Sequence, residues 1–341
     1  GLALLDPPGV AQHQRGQASF AAVVRQSIRQ QLRRARKRAP AVREDSDPEA
    51  VHKMRVAVRR LRTTLQVLEE APEAAFTDFP GCDARRVRRL RRRLRGLAHA
   101  LGAVRDTDLF VERVRAYGEA NPELHDDLAP LREKLQTQRQ AARATLSAQL
   151  DSRKLAKALA RLHDLSADQD GQRRKESSAR GEQGEQDGLD GLDGRRLQVR
   201  HVAGSALWRR YEEVLSYETV IADSSLIPLT SPTTLHHLRI ALKRLRYALE
   251  LFEDELGKGK KDALDTLTQA QNSLGALHDA VVALALVTRL RDAQPDNRGL
   301  TVFAAALATQ RDQLRGDFIP LWEQLAGQPL HERLVGLLTR L

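Results

Sequence analysis

Cysteine, methionine and the aromatic residues are nearly missing from this sequence, and so are long apolar runs. A single cysteine, Cys82, excludes an intramolecular disulfide framework and a cysteine metal cluster, which makes a reducing cytoplasm the simplest setting. The longest uninterrupted apolar run, Ala280 to Val287, falls far short of the ~18 residues a membrane span needs, so a soluble protein with no membrane span is expected. The opening residues Gly1 to Asp6 lack the basic and apolar regions of a signal peptide and contain no initiator methionine, which leaves open whether a domain precedes them. No glycine-rich loop ends in Lys-Ser or Lys-Thr, since Gly257-Lys258-Gly259-Lys260 has the wrong spacing, and no His-Glu-x-x-His occurs. Cys82 has no evident activating partner in the sequence. No cofactor or metal is expected, and the chain reads as a binder, not an enzyme.

What is abundant is equally informative. Alanine, leucine, arginine and glutamate dominate and 30% of residues are charged, a composition that predicts an all-α protein. The net charge of +11 is uneven, at +13 for residues 1–166, −4 for 167–194 and +2 for 195–341. An excess of this kind favours polyanionic partners.

One stretch occurs twice at a constant offset of 184 positions, as Val51 to Glu69 and as Leu235 to Glu253. His52, Arg55, Arg60 and Arg62 recur as His236, Arg239, Arg244 and Arg246, and Arg59 recurs as Lys243. Each copy opens on a capping residue followed by proline at the first helical position, Asp47-Pro48 and Ser231-Pro232. At about 100° per residue, Val51, Met54, Val58, Leu61 and Leu65 form an apolar stripe. His52, Arg55, Arg59 and Arg62 form a cationic ridge beside it, and His236, Arg239, Lys243 and Arg246 repeat that ridge.

Taken in order, residues 1–15 form a tail and 16–166 a first helical half. Its helices are predicted at 17–37, ended by Pro40, at 48–71, and from Asp83 through an arginine-rich stretch whose Val87, Leu90, Leu94, Leu97 and Leu101 keep a helical period. Leu101-Gly102-Ala103-Val104-Arg105-Asp106 is expected to break that helix and to cap another at 106–118, with further helices at 122–150 and 152–165. Residues 167–194, rich in Gly, Asp, Gln and Glu, read as a flexible acidic linker. In the second half, 195–341, helices are expected at 196–222, 232–256, 260–276, 279–293, 298–326 and 329–340. Leu274 to Asp279 echoes Leu101 to Asp106, and Thr309-Gln310-Arg311 echoes Thr137-Gln138-Arg139. These anchors predict two pseudo-symmetric bundles of about six helices each, with both ridges facing a basic groove or channel.

A paired His-x-x-Arg-(Val/Ile)-x-x-(Arg/Lys)-Arg-Leu-Arg, each followed by Leu-Gly-x-x-(Arg/His)-Asp, strongly resembles the CHAD family, the conserved histidine α-helical domain, over roughly residues 15–341. The resemblance implies binding of inorganic polyphosphate in a basic channel, association of some members with polyphosphate or polyhydroxyalkanoate granules, and a CYTH triphosphatase domain upstream in many. The alternating Glu-x-Glu-x-Lys of CYTH enzymes is missing, and His278 stands where the first half has Arg105. Carried onto this sequence, the binding residues are His52, Arg55, Arg59, Arg60, Arg62, His236, Arg239, Lys243, Arg244 and Arg246. Arg91 and Arg93, flanking the apolar stripe of the arginine-rich helix, join them, as do Arg105, Arg139 and Arg311 from the echoed anchors. Arginine forks suit phosphate oxygens bidentately, and a histidine beside a bound anion would favour its protonated form. A nucleic-acid binder is the alternative, with few aromatics to stack on bases; an accessory domain of a tri- or polyphosphate hydrolase is another.

Overall fold

A computed structural model describes residues 16–167, 196–219, 221 and 230–341, and the predicted acidic linker and N-terminal tail lie outside them. Among the described residues there are ten α-helices and no strand: α1 Phe20–Glu44, α2 Pro48–Glu69, α3 Ala84–Ala120, α4 Ala129–Leu150, α5 Arg153–Leu165, α6 Val199–Leu215, α7 Pro232–Leu251, α8 Lys260–Ala293, α9 Arg298–Ala326 and α10 Gln328–Leu338. Five helices therefore precede the acidic segment and five follow it.

The caps form as their residues dictate. Asp47 accepts a hydrogen bond from the Glu49 amide and Ser231 one from the Thr234 amide, each beside a proline at the start of its helix. Three expectations on helix ends are corrected. α1 does not stop before Pro40 but runs on to Glu44, ending at Asp45 in the left-handed conformation (φ 56°). Burial of Val42, a 2.7 Å hydrogen bond from Arg143 to the Val42 carbonyl, and ion pairs from Arg139 and Arg143 to Asp45 hold that extra turn in place. Residues 106–118 are not a separate helix, because α3 passes unbroken through Leu101-Gly102, and α8 passes unbroken through Leu274-Gly275. Buried Leu97, Leu101 and Val104 on one helix and Leu274 and Leu277 on the other outweigh a glycine penalty of about 1 kcal/mol. The expected six helices per half thus become five among the described residues.

The two halves share their apolar cores. The larger core takes residues from all ten helices, α4 contributing Leu146. At about 1.5 Å per residue, the 37-residue α3 and 34-residue α8 extend well beyond the 22-residue α2 and 20-residue α7. Their far ends, with α4 and α9, build a second core from Val114, Leu131 and Leu135 of one half and Leu286, Val287, Leu300 and Phe303 of the other. There the Asp127 carboxylate accepts from the Gly299 amide (3.0 Å) and the Asp127 carbonyl from Asn297 (2.8 Å). A Cβ on Gly299 would lie 2.4 Å from the Asp127 Cβ, so only glycine fits this contact. The Phe303 ring sits 4.4 Å from that of Tyr117. Phe303→Ala is expected to lower stability by about 3–5 kcal/mol, read from urea denaturation, because it empties the centre of this small core.

α8 is long and apolar enough, by length and composition, to cross a membrane. Here its apolar residues go to the two cores, Leu267 and Leu274 to the first and Leu286 and Val287 to the second.

Candidate functional site

The cationic ridges of α2 and α7 face one another. Arg59 of α2 places its guanidinium 5.3 Å from the centre of the Tyr247 ring on α7, and Arg246 approaches the same ring at 4.9 Å. Such contacts are attractive, since the ring face carries negative charge, yet each is worth only about 0.5–2 kcal/mol. They do not neutralise the cations around them.

The electrostatic consequence is read on each group. Burial, reinforced by Arg239, Arg59 and Arg55 and opposed by Asp106, depresses the Lys243 ammonium to about 6. Arg59 is lowered to about 10, mainly by burial, against the favourable Tyr247, and so remains charged at neutral pH. Arg239 is also lowered, again by burial first, with Asp279 and Asp106 acting the other way. Burial and the neighbouring His278, Arg239 and Lys243 lower His236 to about 4. His52 is lowered by burial and by Arg105. Carboxylates temper this field: Glu49, which opposes the lowering of His52, Asp106, 3.6 Å from Arg55, and Asp279, whose own proton is held more tightly because burial outweighs Arg239. Several buried nitrogens have no hydrogen-bond partner among the described protein groups: Nε of Arg59, Arg62 and Arg239 and Nδ1 of His236, while Nε of Arg246 reaches Glu250 only at 3.6 Å. A buried donor without a partner costs about 1–3 kcal/mol, which an anion seated among these groups would return.

The Leu-Gly-x-x-(Arg/His)-Asp motif, expected to be a break, is instead a shelf for these arginines. A Cβ on Gly102 would meet Arg55 Nε at 3.7 Å, and one on Gly275 would meet Arg239 Nη2 and Nε at 3.4 and 3.5 Å. Each arginine packs against its helix at a point that carries no side chain, with the motif's aspartate one turn further on. Gly275→Leu is expected to push Arg239 out of place, weakening anion binding about tenfold while leaving the helix signal in circular dichroism intact. The symmetry of the motif breaks where the sequence says it should. The His278 ring stacks on His236 at 4.2 Å, whereas Arg105 lies 3.6 Å from Glu49 beside His52.

The other sequence candidates lie elsewhere or are already paired. Arg60 Nε donates to Glu250 at 2.8 Å, joining α2 to α7, and Arg244 pairs with Glu213. Arg62 is lowered by burial and by Arg91, Arg95 and Arg244, while Arg91 itself donates to Glu69 at 2.8 Å. Arg139 is held between Asp45 and Asp108, 2.8 Å from each, and Arg311 pairs with Asp312. Arg93 is not at the ridges but lines a cavity between α3 and α5. The residues that sequence reading passed over are Tyr247, Asp279 and the two glycines. Asp106, expected to be a helix cap, faces Arg55 from mid-helix. Among the described residues no three His, Cys, Asp or Glu side chains are grouped to hold a metal.

The fold and the site together define an all-helical module with two facing cationic ridges half-buried where α2 and α7 meet. The sequence model of the CHAD domain matches residues 26–288, and the chain belongs to the CHAD family. The crystal structure of the CHAD domain from the plant Ricinus communis is similar to it over 100% of this chain and 98% of that one, with a TM-score of 0.57 and 24% identity. PptA from Streptomyces chartreusis is similar over 90% of this chain and 100% of that one, with a TM-score of 0.58 and 15% identity. At these identities the likeness is one of fold. No curated protein sequence matches the chain.

Proposed function

We propose that this protein binds inorganic polyphosphate between the α2 and α7 ridges and so tethers whatever carries it to polyphosphate, or to polyphosphate or polyhydroxyalkanoate granules, in the cytoplasm. The observation that supports this most is the crowding of Arg55, Arg59, Arg239 and Lys243, with Asp106 and Asp279 set against Arg239 and Asp106 against Lys243. A flexible chain with about one charge per phosphate supplies many acceptors along one track, and arginine forks bind them bidentately. Released counterions would make affinity fall steeply with salt.

The reading is of a binder and not a hydrolase. Each carboxylate near the ridges faces an arginine, an arrangement suited to charge balance and poorly suited to holding Mg²⁺. Release of orthophosphate from tripolyphosphate and Mg²⁺ by the pure protein would overturn it. A nucleic-acid reading has one observation in its favour, the exposed Arg85, Arg88, Arg89 and Arg92 of α3. Titration with long-chain polyphosphate at two salt concentrations, with duplex DNA as competitor at equal charge, separates the two. Polyphosphate is expected to resist the competitor; equal displacement by DNA would sink the proposal.

A further inference from the structure

A second cationic site lies on the other side of α3, away from the ridges. A cavity of about 780 Å³ opens between α3 and α5. Along one wall run Arg86, Arg89 and Arg93, and along the other Lys154, Lys157 and Arg161, both rows spaced i, i+3, i+7. Each row therefore follows one face of its helix for about 10 Å. Buried Phe79, Leu90 and Ala158 contribute to the apolar floor.

At the back sits Arg25, only 7% exposed. Its Nη2 donates to the Asp78 carbonyl and its guanidinium lies 5.1 Å from the centre of the Phe79 ring, but its buried Nε has no acceptor among the described protein groups. Arg86 lies 4.0 Å from Asp83. For Arg89, Arg93, Lys154, Lys157 and Arg161 no hydrogen-bond or ion-pair partner occurs among the described residues. Asp164 is the one carboxylate among the lining residues, and it faces His163 at 3.9 Å. Seven cations against one acid, in two rows on two helices with a buried arginine beside them, form a cradle for several linked negative charges.

We infer that the α3–α5 cleft is a separate site for a short linked-phosphate group, the terminal run of an inorganic polyphosphate or the triphosphate of a nucleotide. The rows match a few linked phosphates in length, arginine supplies bidentate donors and lysine point charges. The inference does not depend on the ridges binding anything.

The single cysteine gives a local readout, because half-buried Cys82 lines the same cavity. Its modification by a maleimide is followed with and without tripolyphosphate, ATP or a single-stranded oligonucleotide at equal charge. Tripolyphosphate is expected to slow modification about tenfold in the wild type and equally in the ridge variant Arg55→Ala, Arg59→Ala, Arg239→Ala, Lys243→Ala. The protection is expected to vanish in Arg89→Ala, Arg93→Ala, Lys157→Ala, Arg161→Ala. It should survive in Arg33→Ala, Arg34→Ala, Arg36→Ala, Lys37→Ala, which removes as many charges from the exposed face of α1. Protection by ATP as well assigns the site to nucleoside triphosphates as well as inorganic chains; protection by tripolyphosphate alone assigns it to the inorganic chain. No protection in the wild type, equal loss in the α1 variant, or equal protection by the oligonucleotide would each overturn the inference.

Discussion

Replacing Arg55, Arg59, Arg239 and Lys243 together by alanine is expected to weaken polyphosphate binding at least about 100-fold, while the variant melts no lower than the wild type. Charge-assisted hydrogen bonds contribute about 1.5–3 kcal/mol each, so four lost together exceed the roughly 2.7 kcal/mol of a 100-fold change even if far from additive. Stability moves the other way. Lys243 is held to about 6 and Arg59 to about 10 because their charged forms are buried among other cations. Truncation relieves that repulsion and offsets the packing lost from the long side chains. The neighbouring pair behaves oppositely: Arg60→Ala leaves Glu250, 18% exposed, without its 2.8 Å partner, which should lower the melting temperature with little effect on affinity. Isothermal titration and scanning calorimetry on both variants decide the matter. Affinity within threefold of wild type in the four-residue variant would remove the ridges from consideration.

Binding is also expected to be proton-linked, with affinity for long-chain polyphosphate at least about tenfold greater at pH 5.5 than at pH 8.5. Lys243 faces Arg239 on its own helix, Arg55 and Arg59 on α2, and Asp106 on α3, with His236 and His278 close by. With its pKa near 6, it is largely neutral in the free protein at pH 7.5 and protonates once a polyanion sits beside it. Complex formation at that pH should therefore take up about one proton, measurable as a dependence of titration heat on the ionisation enthalpy of the buffer. The free protein shows the converse. A lysine whose folded pKa lies below its unfolded value of about 10.4 binds more protons when unfolded, so its contribution favours the native state least below about pH 6. Stability from this group rises with pH between those two values. Lys243→Arg, which stays charged throughout, should flatten the affinity profile. A profile as steep in that variant as in the wild type would assign the pH dependence to other groups.

The local chemistry of the chain was legible and the long-range chemistry was not. Capping residues and prolines at 47–48 and 231–232 act within one turn, and a 3.6-residue period shows directly which side chains share a face, so α2, α7 and both ridges could be read without coordinates. A glycine in isolation weakens a helix, so Gly102 and Gly275 have the look of breaks in the sequence. Their reason for being there comes from Arg55 and Arg239, each on a different helix. Arg59 and Arg60 are adjacent in sequence but about 100° apart on the helix, and only the positions of Tyr247 and Glu250 decide which one stays without a carboxylate. Pro40 misled for a similar reason, since the bonds that carry α1 past it come from Arg139 and Arg143 on α4. The Lys154, Lys157, Arg161 row was periodic in plain sight. Its significance came only with Arg86, Arg89 and Arg93 opposite.

The shared cores have a consequence for how the chain tolerates being cut. A break between residues 167 and 196 severs none of the ten described helices, yet each fragment would keep an uncovered apolar face, Leu131 and Leu135 on one and Leu300 and Phe303 on the other. Two separately produced fragments should therefore recover the native form by complementation, and neither alone should carry the facing ridges. Anion binding would then report the reunion of the fragments, which makes this chain a natural scaffold for a split-protein sensor.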